Sequence, residues 1–168
     1  MHAAAKILFE YGPQPGLLGD VTALHGRYYA QNWGFPISFE CKVAREMGDF
    51  LSRYDPARDL VVSVKRSDRI VASITLDASD PALAAGMAHL RWFVVDGSLQ
   101  GHGIGKRLLD EAVLFARRSG LTSIYLTTFQ GLHAASALYT AAGFRVVEEF
   151  CGETWGGPVI EQRLEMSL

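Results

Sequence analysis

Apolar positions divide the chain into stretches of two periods. Ala5–Glu10 is a short apolar run closed by Tyr11–Gly16, whose two prolines and two glycines form a turn, so it predicts a strand. Gly19–Gly34 predicts a helix with Asp20 as N-cap and Gly34 as stop, although Gly26 weakens it. Between Ser38 and Asp55, residues Phe39, Val43, Met47, Phe50 and Leu51 recur at helical spacing, which predicts a second helix capped by Ser38. Leu60–Arg66, Arg69–Asp77 and Met87–Asp96 are β-branched and aromatic runs and predict three strands. Lys65–Arg69 turns between the first two, and Ala78–Gly86 connects the second to the third. A third helical stripe joins Ile104, Leu108, Ala112, Val113, Phe115 and Ala116, with Gly120 ending it. Thr122–Phe129 reads as a strand, His133–Ala142 as a helix stopped by Gly143, and Phe144–Phe150 and Pro158–Leu168 as the last two strands. This order predicts an α/β fold of the α+β kind, a mixed sheet with helices on both faces.

Composition changes the picture mainly by exclusion. A chain of 168 residues with 49% hydrophobic and 20% charged residues is expected to form one globular domain over 1–168. A formal charge of −2 speaks against a nucleic-acid partner held by a broad basic face. The two cysteines, Cys41 and Cys151, are too few for a disulfide scaffold and are expected as reduced, mostly buried thiols. The opening residues Met1–Gly12 carry no signal-peptide pattern, and no run reaches membrane length, so the cytoplasm is the expected location. His2, His25 and His133 share no ligand spacing, so no metal site is expected.

Chemistry concentrates at Gln100-Gly101-His102-Gly103-Ile104-Gly105-Lys106, between a predicted strand and a predicted helix. Glycine lets a backbone approach a ligand closely, and a helix start presents unpaired amides, so the stretch predicts an anion site. It is not a nucleotide P-loop, because no Gly-Lys-Ser/Thr triplet closes it. Nor is it the dinucleotide fingerprint, since its glycines alternate.

With Val95 five residues upstream and Leu138-Tyr139-x-x-x-Gly143-Phe144 downstream, this loop resembles the pyrophosphate loop of the GNAT superfamily of acyl-CoA-dependent N-acyltransferases. The resemblance is carried by Met87–Phe150 and extends loosely over the whole chain. His25–Phe35, Phe39-Glu40, Tyr54–Arg58 and the tail Gly156–Leu168 also resemble the acetyltransferase half of proteins that fuse a MarR-type regulator to such a domain; no DNA-binding half accompanies it in these residues.

The resemblance implies a mostly antiparallel central sheet of about seven strands with one splayed strand pair. Acetyl-CoA would be the co-substrate, its pyrophosphate on the amides of Gly101–Lys106 with Gln100 beside them. Its pantetheine arm would pair with the free strand edge at Phe93, Val94 and Val95, where one N–H would also hold the oxyanion. Tyr139 matches the family's general acid, against a plainer reading as a packing tyrosine. Strand alternation places His89, Arg91, Phe93 and Val95 on one face and Leu90, Trp92 and Val94 on the other. His89 falls where some relatives carry the catalytic base; a structural histidine, with a water chain as base, is the alternative. An asparagine often found seven residues before the tyrosine is Leu132 here.

For the acceptor, the resemblance points to the zone of the first two helices and the late strands. Tyr28, Phe35 and Glu40 are the candidates there, with Tyr29, Trp33, Phe39 and Trp155 around them. For any one of these aromatics core packing is the favoured account. Together they point to a partly apolar small-molecule amine or amino acid, with Glu40 for its ammonium. The expected function is therefore transfer of acetyl from acetyl-CoA to a primary amine by direct attack in a ternary complex. A non-catalytic acyl-CoA sensing module and a protein N-acetyltransferase are the alternatives. Many relatives pair as dimers, so a homodimer is implied, although no residue pattern sets it.

Overall fold

Seven strands and four helices follow the apolar pattern in a computed structural model that describes residues 6–168. In chain order they are β1 (Ile7–Tyr11), α1 (Leu17–Trp33), α2 (Ile37–Ser52), β2 (Leu60–Arg66), β3 (Arg69–Asp77), β4 (Met87–Val95), α3 (Ile104–Arg118), β5 (Ser123–Phe129), α4 (His133–Ala142), β6 (Arg145–Gly152) and β7 (Val159–Ser167). The strands form one sheet in the order β1-β2-β3-β4-β5-β7-β6. Every neighbouring pair is antiparallel except β4 with β5, which is parallel.

Two apolar cores lie on opposite faces of this sheet. Leu108, Leu109, Ala112 and Ala116 of α3 and Tyr139 of α4 pack with Ile74, Leu76, Leu90, Ile124 and Leu126. Phe39, Val43, Met47 and Phe50 of α2 and Leu17 and Val21 of α1 pack with Val61, Trp92 and Phe129 on the other face. The alternation along β5 shows how one strand serves both: Ile124 and Leu126 enter the first core, Phe129 the second.

β4 is where the regular pattern breaks. Its pairing with β5 covers only Met87, Ala88 and His89; beyond that the two strands part. Its pairing with β3 shifts register between Ser73 and Thr75, opposite Val94 and Arg91. The extra residue is absorbed at Trp92, which has a left-handed φ of 45°, and Ser73 Oγ donates to the Trp92 carbonyl at 2.9 Å. This is a β-bulge, and it inverts the facing of the strand beyond it. The uninterrupted alternation expected from the sequence is therefore corrected. Leu90 joins the α3/α4 core and Trp92 the α1/α2 core, while Phe93 and Val95 pack against the α3/α4 side.

Two helix starts also differ from expectation. α1 begins after Gly16 at φ 93°, not at Asp20, whose carboxylate instead accepts the Ile70 N–H at 3.0 Å and pairs with Arg69 at 3.1 Å. α2 follows Pro36 rather than Ser38, because proline's fixed φ suits the entry to a helix. The cysteines are corrected too: Cys41, on α2, and Cys151, on the edge strand β6, are both exposed. Among the described residues, no helix is long and apolar enough to cross a membrane.

Candidate active site

A cavity of about 670 Å³ opens where β4 and β5 part. Its floor is the free edge of β4, with Phe93, Val94 and Val95 in the lining. Among the described residues no strand lies beside that edge beyond His89 on the β5 side, so apart from the Val95 carbonyl near Gln100 its backbone polar groups there are left for water or a ligand.

One end of the cavity is the glycine loop. Leu99 is buried and anchors its start, and Ile104 is buried and anchors its end. Between them Gly101 and Gly103 adopt φ 79° and 77°, a region that only glycine enters without strain. Gly105 serves differently: a Cβ there would lie 3.2 Å from Leu138 and 3.5 Å from Phe93, so its bareness lets α3 approach α4 and β4. Gly103 is the N-cap of α3 and no side chain caps the helix, so the first-turn amides remain open beside the cavity. Together these features make an anion cradle. Gln100 and Lys106 stand at its rim, Gln100 Nε2 reaching the Val95 carbonyl at 3.4 Å and Lys106 paired with Asp110.

The wall opposite β4 is α4. Tyr139 is buried, its ring 6.0 Å from that of Phe93 and 5.8 Å from that of Phe144. Among the described residues its hydroxyl has no hydrogen-bond partner, while the residue lines the cavity. Burial, with Tyr29 nearby, pushes the phenol well up, so it stays protonated at neutral pH.

The other end lies between the sheet and α1/α2. Tyr28, Tyr29, Phe39 and Trp155 form an aromatic wall, with Tyr29 at the centre of a cluster that includes Phe35, Phe39 and Trp155. Along its side runs an ionic ladder. Arg91 pairs with Glu46 at 2.7 Å and with Asp77 at 3.6 Å, Arg53 grips Asp77 through two bonds at 2.8 and 2.6 Å, and Lys42 bonds Glu46. Glu161 of β7 completes this end; it is 7% exposed and its Oε1 accepts the Thr154 N–H at 2.9 Å.

The cavity brings together Tyr139, His89, Phe93, Val94, Val95, Gln100, Gly101, Gly103, Ile104, Gly105, Lys106 and Tyr28 of the residues singled out from sequence. Three others lie outside its lining. His102 is exposed on the loop, its Nδ1 3.0 Å from the Gln100 carbonyl. Phe35 is buried behind Tyr29, ring centroids 5.8 Å apart. Glu40 folds over α1: a Cβ at Gly26 would fall 2.7 Å from its Oε2, which also explains a glycine inside that helix. The expected ammonium partner therefore faces a helix and not the cavity.

His89 lines the cavity but stacks on Tyr125, ring centroids 4.2 Å apart. Withdrawal from water and the adjacent Arg91 lower its pKa to about 3. It is neutral at physiological pH, and with so low a basicity it takes a proton from an ammonium poorly. His25 is likewise neutral, its pKa lowered to about 4 by burial, with its Nδ1 2.9 Å from the Val21 carbonyl. Sequence reasoning missed Glu161 and the Arg91–Glu46 pair. Glu161 gave no separate signal, since alternation places it on one face with Arg163 and Glu165 in a strand rich in polar residues.

A family model described as the acetyltransferase (GNAT) family matches residues 23–144. An uncharacterized N-acetyltransferase of Schizosaccharomyces pombe is 24% identical over 139 residues, covering 83% of each chain. N-acetyltransferase family 8 member 3 of Rattus norvegicus is 30% identical over 89 residues, which is 53% of this chain and 39% of that protein. The structure of yncA from Salmonella typhimurium with its cofactor acetyl-CoA superposes with a TM-score of 0.74 at 13% identity, covering 98% of this chain and 95% of that one.

Proposed function

The chain belongs to the acetyltransferase (GNAT) family, and from that premise we propose that it transfers the acetyl group of acetyl-CoA to a primary amine of a small molecule or amino acid. The observation that carries this reading is one continuous cavity with an anion cradle at Gly101–Lys106, an open strand edge at Phe93–Val95 and a protonated phenol at Tyr139. The amides of the cradle suit the pyrophosphate, and the exposed edge suits the amide-bearing pantetheine arm. A backbone N–H of that edge, aimed at the thioester oxygen, stabilises negative charge there as attack proceeds. The ammonium first gives a proton to water in the cavity; the amine nitrogen then bonds to the acetyl carbon, the carbon–sulfur bond breaks, Tyr139 donates its proton to the departing sulfur, and the second proton lost from nitrogen restores the phenol. His89 is assigned no proton in this scheme. Residues of the segments that resemble MarR-fused acetyltransferases, Tyr28, Tyr29 and Phe39 among them, line the cavity, and we place the chain near those proteins.

Initial rates with acetyl-CoA and amine both varied test the scheme. Intersecting double-reciprocal lines are expected for a ternary complex; parallel lines indicate an acetylated enzyme and contradict direct attack.

The cradle has its own test. Gly103→Ala places a side chain at φ 77°, where an L residue is strained by about 1 to 2 kcal/mol, and shifts the first amides of α3. Calorimetry is expected to show acetyl-CoA affinity falling by about tenfold, the equivalent of roughly 1.4 kcal/mol. Unchanged affinity contradicts binding at this loop.

A homodimer also fits the chain. Val146, Val147 and Phe150 are exposed on β6, the edge strand, and a second copy would cover them. Sedimentation velocity is expected to show a dimer that Val147→Lys weakens; a monomer at every concentration contradicts it.

A further inference from the structure

Glu161 is 7% exposed and its carboxyl group has no ionic partner among the described residues. It joins none of the ion pairs among the described residues, and its one hydrogen bond is from the Thr154 N–H at 2.9 Å. A carboxylate taken out of water costs several kcal/mol unless a cation or a full set of donors compensates it. Lys42 and Arg91, the cations lining the same end of the cavity with it, are engaged by Glu46, and Arg91 also by Asp77. Glu161 is thus left for whatever enters the cavity.

Its surroundings define that visitor. Glu161 lies directly across from Phe129 on β5, so its side chain shares the α1/α2 face of the sheet with the aromatic wall. Tyr29, Phe39 and Trp155 line the cavity there. Room for the carboxylate comes from Gly152, where a Cβ would overlap Glu161 Oε1; Gly152 has no left-handed φ to require a glycine otherwise. The bare position on β6 leaves room for the carboxylate beside its Thr154 partner, and Glu161 lines the cavity. A carboxylate set among aromatic faces recognises a cationic head on an apolar body, because the ring faces attract the same positive charge.

We propose that Glu161 is the subsite for the acceptor's ammonium, and that the acceptor class is a primary amine carrying an apolar or aromatic body. This rests on the N-acetyltransferase reading above and gives it a substrate class. The role foreseen for Glu40 passes to Glu161, which lines the cavity where Glu40 does not.

Phenethylammonium and the uncharged 2-phenylethanol are the probes, titrated by calorimetry into the CoA-saturated wild type, Glu161→Gln and Gly152→Ala. Glutamine keeps an oxygen for the Thr154 N–H, so the fold is retained, and unchanged CoA affinity in each variant confirms it. Wild type is expected to bind phenethylammonium, with affinity reduced at least tenfold in Glu161→Gln and reduced in Gly152→Ala, while 2-phenylethanol binding is the same in wild type and Glu161→Gln. Equal affinity of wild type and Glu161→Gln for the ammonium, or no binding of it by wild type, overturns the proposal. The wider reading fails separately, by absence of acetyl transfer to any amine in a wild type that binds phenethylammonium normally.

Discussion

Tyr139→Phe is expected to lower kcat by about 10²- to 10⁴-fold, the usual contribution of a positioned acid, while acetyl-CoA affinity stays unchanged. The substitution isolates one atom. The ring keeps its contacts with Phe93 and Phe144, and the hydroxyl it removes has no protein partner to orphan among the described residues. Thermal stability is accordingly expected to hold, because the fold loses no hydrogen bond with that hydroxyl. Steady-state kinetics beside calorimetry separates the outcomes. Unchanged turnover leaves Tyr139 as a brace between α4 and the sheet. Lost turnover with lost cofactor affinity makes it a binding group and not an acid.

Asp77→Asn is the substitution expected to cost most in stability, about 3 kcal/mol in urea denaturation. Asp77 has a side chain with no exposure, held by Arg53 through both oxygens and approached by Arg91 at 3.6 Å. Removing its charge leaves Arg53 with only the 4.0 Å ionic contact to Asp80 and Arg91 with Glu46 alone. Breaking a buried pair from one side costs about 3–5 kcal/mol, and the lower end applies because Arg53 keeps 30% of its side chain in water. The sign of the pH dependence follows. Burial alone would push the Asp77 carboxyl up, but the Arg53 bonds and the charges of Arg53 and Arg91 outweigh it and hold it below the usual range. Its contribution is therefore complete above the unfolded value of about 3.9 and is lost as pH falls through the folded value. The gap between wild type and Asp77→Asn is expected to close in that acidic window. A deficit under about 1 kcal/mol at neutral pH contradicts this account of the network. The effect reaches the site as well: Asp77 lies opposite His89 across β3 and β4 and orients Arg91 in the cavity wall.

The cofactor end of the site was legible because its chemistry is local. Gly101, Gly103 and Gly105 carry backbone and packing requirements within five consecutive residues, and the helix they open follows at once. The order of strands and helices was legible for the same reason, since each apolar run builds its own element. What escaped notice depends on contacts between distant segments. The bulge at Trp92 leaves no mark in a run that is apolar throughout Trp92–Val95, yet it turns Phe93 and Val95 away from the face of His89 and Arg91. Glu40 sits on a helix that the family likeness places near the acceptor, but packing turns it onto Gly26. Glu161 belongs to a strand recognised correctly as a strand, and its burial arises only when β5 and β6 pair on either side of it. Helix capping misled at Asp20 and Ser38, where good capping residues stand inside helices already begun by Gly16 and Pro36.

The central claim is that one cavity brings a bound thioester to an amine and completes the transfer. It is tested most directly by following free thiol release from acetyl-CoA across a panel of primary amines, amino acids and peptides, with the acetylated product identified by mass. The account predicts release that depends on an amine with an apolar body, in step with formation of its acetamide. Tight acetyl-CoA binding with no thiol released by any acceptor would contradict it, and would make the protein an acyl-CoA binding module instead.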